Sequence, residues 1–130
     1  MSPININDIL ERAKGAIRVG NHESAERLLK DYIAKVPGSR EACLLLGNTF
    51  AQREKLSEAV DQFLTLIARD PKDIEALNNV AVIYNRLGKF QEALDYLQEA
   101  IEIDPVKVEF HYNIGNIHKQ KGNLKAASMA

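Results

Sequence analysis

Residues 74–107 read IEALNNVAVIYNRLGKFQEALDYLQEAIEIDPVK. Leu77, Val80, Ala81, Tyr84 and Leu87 step by three or four residues, which places them on one face of a helix. Phe90, Ala93, Leu94, Leu97 and Ile101 do the same. Gly88-Lys89 interrupts the two patterns, and glycine tolerates the positive φ that suits a helix C-cap. Pro105 marks the far end, since proline biases its predecessor away from helix. Asp73, just upstream, is a suitable N-cap. The stretch therefore reads as two antiparallel helices, 74–87 and 90–103, joined by a short loop. Ala81 and Ala93 are small enough to let the two helices approach closely, with Tyr84 and Leu97 filling the space beside them.

The same punctuation recurs along the chain. Pro37, Pro71 and Pro105 are 34 residues apart, as are Ala25, Ala59, Ala93 and Ala127. Gly20, Gly88 and Gly122 share that period, with Glu54 standing where the second glycine would fall. Three ladders with one period define internal repeats. Helices are expected at 7–19, 22–35, 40–53, 56–69, 74–87, 90–103 and 108–121, with a stub at 124–130. About seven residues cannot form a stable helix unaided.

This pattern resembles the tetratricopeptide repeat family, whose unit is a helix–turn–helix of 34 residues. The copy at 74–107 carries Leu77, Val80, Ala81, Tyr84, Gly88, Ala93, Leu97, Ala100 and Pro105 at the signature places. The copy at 40–73 carries Cys43, Leu46, Gly47, Phe50, Ala59, Phe63, Leu66 and Pro71. The copy at 6–39 keeps Ile9, Ala13, Ala16, Gly20, Ala25, Leu29 and Pro37 but has Arg12 where a large apolar residue is usual. A partial copy occupies 108–130. The resemblance implies an all-α fold, a right-handed α-α superhelix of antiparallel helix pairs, with residues 1–130 forming a single array. Repeat proteins of this type present an extended concave surface.

In the family the first helix of each pair lines that groove. Register then assigns it Asn7, Leu10, Lys14 and Ile17; Glu41, Leu44, Leu45, Asn48 and Gln52; Glu75, Asn78, Asn79, Val82 and Arg86; and Glu109, Tyr112, Asn113, Asn116 and Gln120. Asn48, Asn78, Asn79, Val82, Arg86, Tyr112, Asn113 and Asn116 are the candidate peptide-binding residues. Asparagine is a poor interior helix residue, costing about 0.6 kcal/mol relative to alanine, yet Asn48, Asn78, Asn79, Asn85, Asn113 and Asn116 all fall within expected helices. An amide both donates and accepts hydrogen bonds, so a row of them suits the backbone of an extended peptide. Asn79 and Asn113 occupy equivalent places in adjacent repeats. The row resembles the asparagine ladder in the repeat domains of O-linked N-acetylglucosamine transferases; the alternative is a merely solvated polar face. A second family mode, the dicarboxylate clamp for acidic chaperone tails, is disfavoured. Asn48 and Asn79 fall on clamp positions, but Leu44, Glu109 and Asn113 stand where the clamp needs two lysines and an arginine.

Other residues carry little chemistry. His111 and His118 are seven apart, where a metal pair is more usually spaced by three or four. Their register matches Cys43 and Phe50, so core packing is expected. His22 is expected in a solvated loop and Cys43 buried as a small hydrophobe. Acidic side chains are expected on solvent faces, partly offset by neighbours, as in Glu11/Lys14 and Glu54/Lys55. No catalytic residue, metal site or cofactor is expected. The 130 residues are 45% hydrophobic and 27% charged with a formal net charge of −1, which lacks the basic field of nucleic-acid binders. The apolar run Cys43–Leu46 is far short of the roughly 20 residues that span a bilayer, and the N-terminus does not read as a secretory signal. One cysteine fits a reducing compartment such as the cytoplasm.

The expected function is a non-catalytic scaffold that holds a protein or peptide partner in a concave groove. Two alternatives use the same residues: a substrate-recognition domain of a larger enzyme such as a glycosyltransferase, and a self-assembling homo-oligomer joined through the incomplete repeat after Val108.

Overall fold

The computed structural model describes residues 5–129, which form seven helices and no strand. These are α1 (Ile6–Arg18), α2 (His22–Lys35), α3 (Arg40–Gln52), α4 (Leu56–Arg69), α5 (Ile74–Arg86), α6 (Phe90–Ile103) and α7 (Val108–Met129). Asn5, Asn21, Ser39 and Asp73 cap α1, α2, α3 and α5, each accepting a first-turn backbone N–H at 3.0 to 3.2 Å. Such caps satisfy donors that the helix itself leaves free. The first six helices end within one residue of their expected limits. Among the described residues no helix is long and apolar enough to cross a membrane.

The turn between paired helices is made the same way three times. The amide of Asn21 donates to Ala16 O at 2.8 Å, Lys55 to Phe50 O at 2.8 Å and Lys89 to Tyr84 O at 2.9 Å. Each bond spans a residue of positive φ: Gly20 at 79°, Glu54 at 62° and Gly88 at 78°. A glycine holds that conformation freely, whereas an L side chain is strained there by about 1–2 kcal/mol. Glu54 therefore adopts glycine's geometry at a cost.

The chain divides into two compact units between Leu66 and Ile67. The core of the first is built from Ile9, Ala13, Ala25, Leu29, Leu46, Phe50 and Phe63, all buried. A Cβ placed on Gly47 of α3 would sit 2.6 Å from Cε1 of Phe63, whose ring is fully buried on α4. Only the absence of a side chain admits that ring. Cys43, buried as expected, lies close by with Sγ 3.1 Å from Oε1 of Gln62.

The first unit also buries a charge. Glu26 of α2 is 6% exposed. Its carboxylate accepts from Lys30 at 2.9 Å, Arg53 at 2.9 Å and Lys55 at 2.9 and 3.1 Å. Burial alone would push this carboxyl up. Hydrogen bonds and charge from Lys30 and Lys55 outweigh it and hold the pKa down at about 2, against an ordinary 4.5. Arg53 and Lys55 flank the strained Glu54, and Lys55 closes the turn with its backbone and ties it to α2 with its side chain. Lys55 thus pairs with Glu26 across the fold.

In the second unit Leu77, Ala81, Ala93, Leu97, Ala100, Phe110 and Ile117 form one buried cluster, ringed by Ile67, Tyr84, Tyr96 and others. The Tyr84 and Tyr96 rings stack at 5.7 Å and 4°, a contact beyond simple area burial.

Three expectations are corrected. First, the region after Val108 is one helix of 22 residues, not a helix at 108–121 with a separate stub. Gly122 lies inside it without the positive φ of Gly20 and Gly88, and continuation gives the next residues their backbone hydrogen bonds in place. Ala130 lies outside the described residues. Second, His111 and His118 are exposed, while Phe110 and Ile117, one position earlier, are 1% exposed. The buried stripe of α7 faces the preceding pair. The stripe carrying the histidines would face a following helix, and none is present among the described residues. Third, His22 is the first residue of α2 and half-buried, with Nδ1 shielded and unpartnered.

Gly47→Ala is expected to overpack the Phe63 contact and cost about 1–3 kcal/mol, read as a lower urea midpoint. Because the folded Glu26 carboxyl titrates below the unfolded one, the stability it contributes is complete above pH 4.5 and is lost as the pH falls toward about 2. Urea midpoints measured between pH 6 and 2 should show that loss, and Glu26→Gln should flatten this part of the profile.

Candidate functional site

The residues assigned to a binding groove divide between the two units. In the first, Asn48 is exposed on α3, while Leu44, also assigned there, is 7% exposed and belongs to the core. The other candidates lie on α5 and α7 of the second unit. Val82 is 38% and Tyr112 68% exposed; Arg86 is exposed, and Asn79, Asn113 and Asn116 are half-buried.

Asn78 behaves differently. It is 5% exposed. Its Nδ2 donates to Oε1 of Glu109 at 3.0 Å, and its Oδ1 accepts from Nδ2 of Asn113 at 2.7 Å. Burial of an amide is tolerated when both ends are satisfied. The structure thus joins Asn113 to Asn78 rather than lining it up with Asn79, and the pair holds Glu109 beside it. Asn78 serves as a polar key between α5 and α7.

One turn further along, the helices part. A cleft of about 260 Å³ is lined by Asn85, Asn116, Lys119, Gln120 and Asn123. A smaller pit of about 60 Å³ adjoins it, lined by Val82, Asn85, Leu97, Asn113, Asn116 and Ile117. Asn85 borders both, and its Oδ1 is buried with no hydrogen-bond partner among the described residues. No carboxylate lines either cavity. The arrangement supplies amide donors and acceptors, one ammonium group and a small apolar floor. It suits a polar extended segment carrying a small side chain. Among the described residues no group of three or more His, Cys, Asp or Glu side chains is placed to hold a metal ion.

Asn85, Lys119 and Asn123 were not assigned to the groove from sequence. The signal for Asn85 was present: Asn78, Val82 and Asn85 step by four and three along α5 and so share a face. Asn123 lay beyond the expected end of the helix.

Asn78→Leu should strand Glu109 and Asn113 and lower stability by about 1–3 kcal/mol, whereas the neighbouring Asn79→Ala should change it by less than about 0.5 kcal/mol. Denaturant titration of the two variants separates the two roles.

Comparison with known proteins bears on the fold. A search of curated protein sequences finds no match. Among solved structures the chain is similar to MamA, with a TM-score of 0.82 and 23% identity over 91% of this chain and 69% of that one. It is also similar to the first repeat domain of Spaghetti (RPAP3) bound to the HSP90 peptide SRMEEVD, with a TM-score of 0.81 and 14% identity over 90% and 93% of the two chains. Both likenesses concern the fold. The tetratricopeptide repeat model matches residues 10–74, 44–108 and 81–128. With these overlapping matches spanning nearly its whole length, the chain belongs to the tetratricopeptide repeat family.

Proposed function

We propose that this protein is a non-catalytic interaction module that holds an extended segment of a partner protein. The amide-lined cleft between α5 and α7 carries this reading. Its walls present Asn116, Gln120 and Asn123 beside an Asn85 oxygen that no group among the described residues satisfies. Buried polar groups without partners are rare and point to a missing ligand or water. A peptide backbone offers alternating donors and acceptors that amides match without regard to side-chain identity. Asn79, Val82, Arg86 and Tyr112 extend this surface along the same two helices. The likeness to the asparagine ladder of the glycosyltransferase repeat domains is part of this proposal, carried by Asn79 and Asn116 rather than by the internally bonded Asn78–Asn113 pair. A role as the substrate-recognition part of a larger enzyme uses the same residues. A cytoplasmic setting accords with the single buried thiol.

Selection of peptides from a random library on the immobilised chain tests the reading. A selected peptide should bind the Asn79→Ala, Asn116→Ala double variant at least tenfold more weakly, with unchanged helical circular dichroism. Unchanged affinity would sink the amide reading, and failure to select any peptide would sink the extended-segment reading.

A second reading, self-association through α7, is favoured by the open stripe at His111, Gly115 and His118 and by Leu124, which is 56% exposed.

A further inference from the structure

The groove between α5 and α7 has two unlike ends. Asn78 meets Glu109 and Asn113, and further along α5 Asn85 borders the same cleft as Asn116 and Gln120. The two helices therefore run the same way, and the groove follows both. Charges are sorted along it. Each helix begins with a carboxylate in its first turn, Glu75 on α5 and Glu109 on α7. Toward the other end stand Arg86, in the last turn of α5, and Lys119, in the wall of the cleft. An acid in a first turn and a base in a last turn answer the helix dipole. Lys119 falls outside that account, because α7 continues well beyond it to Met129.

Glu109 and Lys119 also lack opposite charges. Glu109 is exposed, and its hydrogen bond comes from the neutral amide of Asn78. Lys119 is exposed, and no carboxylate lines its cleft. Among the described residues neither takes part in an ion pair. Helical spacing sets Tyr112 and Asn116 on the same face between them. The Tyr112 ring is 68% exposed and one turn from Glu109, where it adds an aromatic surface for a cation. The pit of about 60 Å³ bordered by Asn113, Asn116 and Ile117 also lies between the two charges and takes a small side chain. From Glu109 to Lys119 is about 15 Å along the axis, which an extended chain covers in about four or five residues. We infer that the groove recognises an extended partner segment carrying a lysine or arginine at Glu109 and Tyr112 and an aspartate or glutamate at Lys119, four or five positions apart. The inference rests on the interaction-module reading and adds a charge pattern to it. Amides accept a backbone in many registers, whereas two fixed charges of opposite sign select one. A wholly acidic segment would be repelled by Glu109.

Peptides recovered from a displayed random library on the immobilised full chain read the pattern directly. They should carry the two opposite charges four or five positions apart, with a small uncharged residue between. The tightest peptide is then measured against Lys119→Gln and Glu109→Gln. The second variant keeps an oxygen for Asn78, and circular dichroism checks both folds. Each should bind the peptide about fivefold more weakly, the scale of an exposed ion pair. Exchanging the peptide's acid for glutamine should cost about the same against the unaltered chain and nothing further against Lys119→Gln. The peptide's base should couple to Glu109 in the same way. Peptides without the spacing, or losses that multiply instead of coinciding, would overturn the charge pattern. If the Asn79→Ala, Asn116→Ala double variant still weakens those peptides, the interaction-module reading stands on its own. Recovery of no peptide would overturn both.

Discussion

The closest approach of two helices within a pair governs the rest of this structure. At Gly47 the α3 backbone comes so near the Phe63 ring that no Cβ fits between them. At the same place in the next pair Ala81 and Leu97, 34 residues on, lie together in the buried core. A large and a small residue facing each other keep the pair in one register, because sliding by a turn would set large against large. Interiors packed at crystal-like density respond to a single extra carbon, so the alanine ladder reflects available space as well as helix preference.

The turns impose a second constraint, and its cost falls unevenly. Gly20 and Gly88 take positive φ without strain, while Glu54 must adopt it with a side chain. The strained turn is also the one from which Arg53 and Lys55 reach the buried carboxylate of Glu26. The ion cluster thus anchors the turn whose local sequence is least suited to it. A buried carboxylate facing three cations is a weak source of net stability but a source of specificity in some systems.

Much of this was legible in the sequence, for physical reasons that also set the limit. Leu77 to Leu87 and Phe90 to Ile101 carry helical periodicity, Gly88 and Pro105 mark the breaks, and a period of 34 places everything else. What local pattern cannot report is which neighbour occupies a face. His111 and His118 stand in the register of Leu77 and Tyr84, yet are exposed because that stripe of α7 meets no helix among the described residues; Phe110 and Ile117 are buried because theirs does. Glu26 looks like an ordinary surface residue until cations 27 and 29 positions away converge on it. Asn78 and Asn79 are adjacent and chemically identical, and only the arrival of Glu109 and Asn113 makes one a buried key and leaves the other half-open. Asn85 shows the opposite failing: its spacing from Asn78 and Val82 was readable, and only the parting of α5 and α7 gives it a cavity.

The buried Asn78 has a consequence for how such an array can change over time. In the second repeat the equivalent place is held by Leu44, which packs as a hydrocarbon. A duplicated or transplanted copy of residues 74–107 would carry its amide into a neighbourhood without Glu109 and Asn113, stranding a donor and an acceptor that here are both satisfied. The repeats share a period and a scaffold but are not interchangeable parts. Their order along the chain is encoded in a polar match that the junction of α5 and α7 provides.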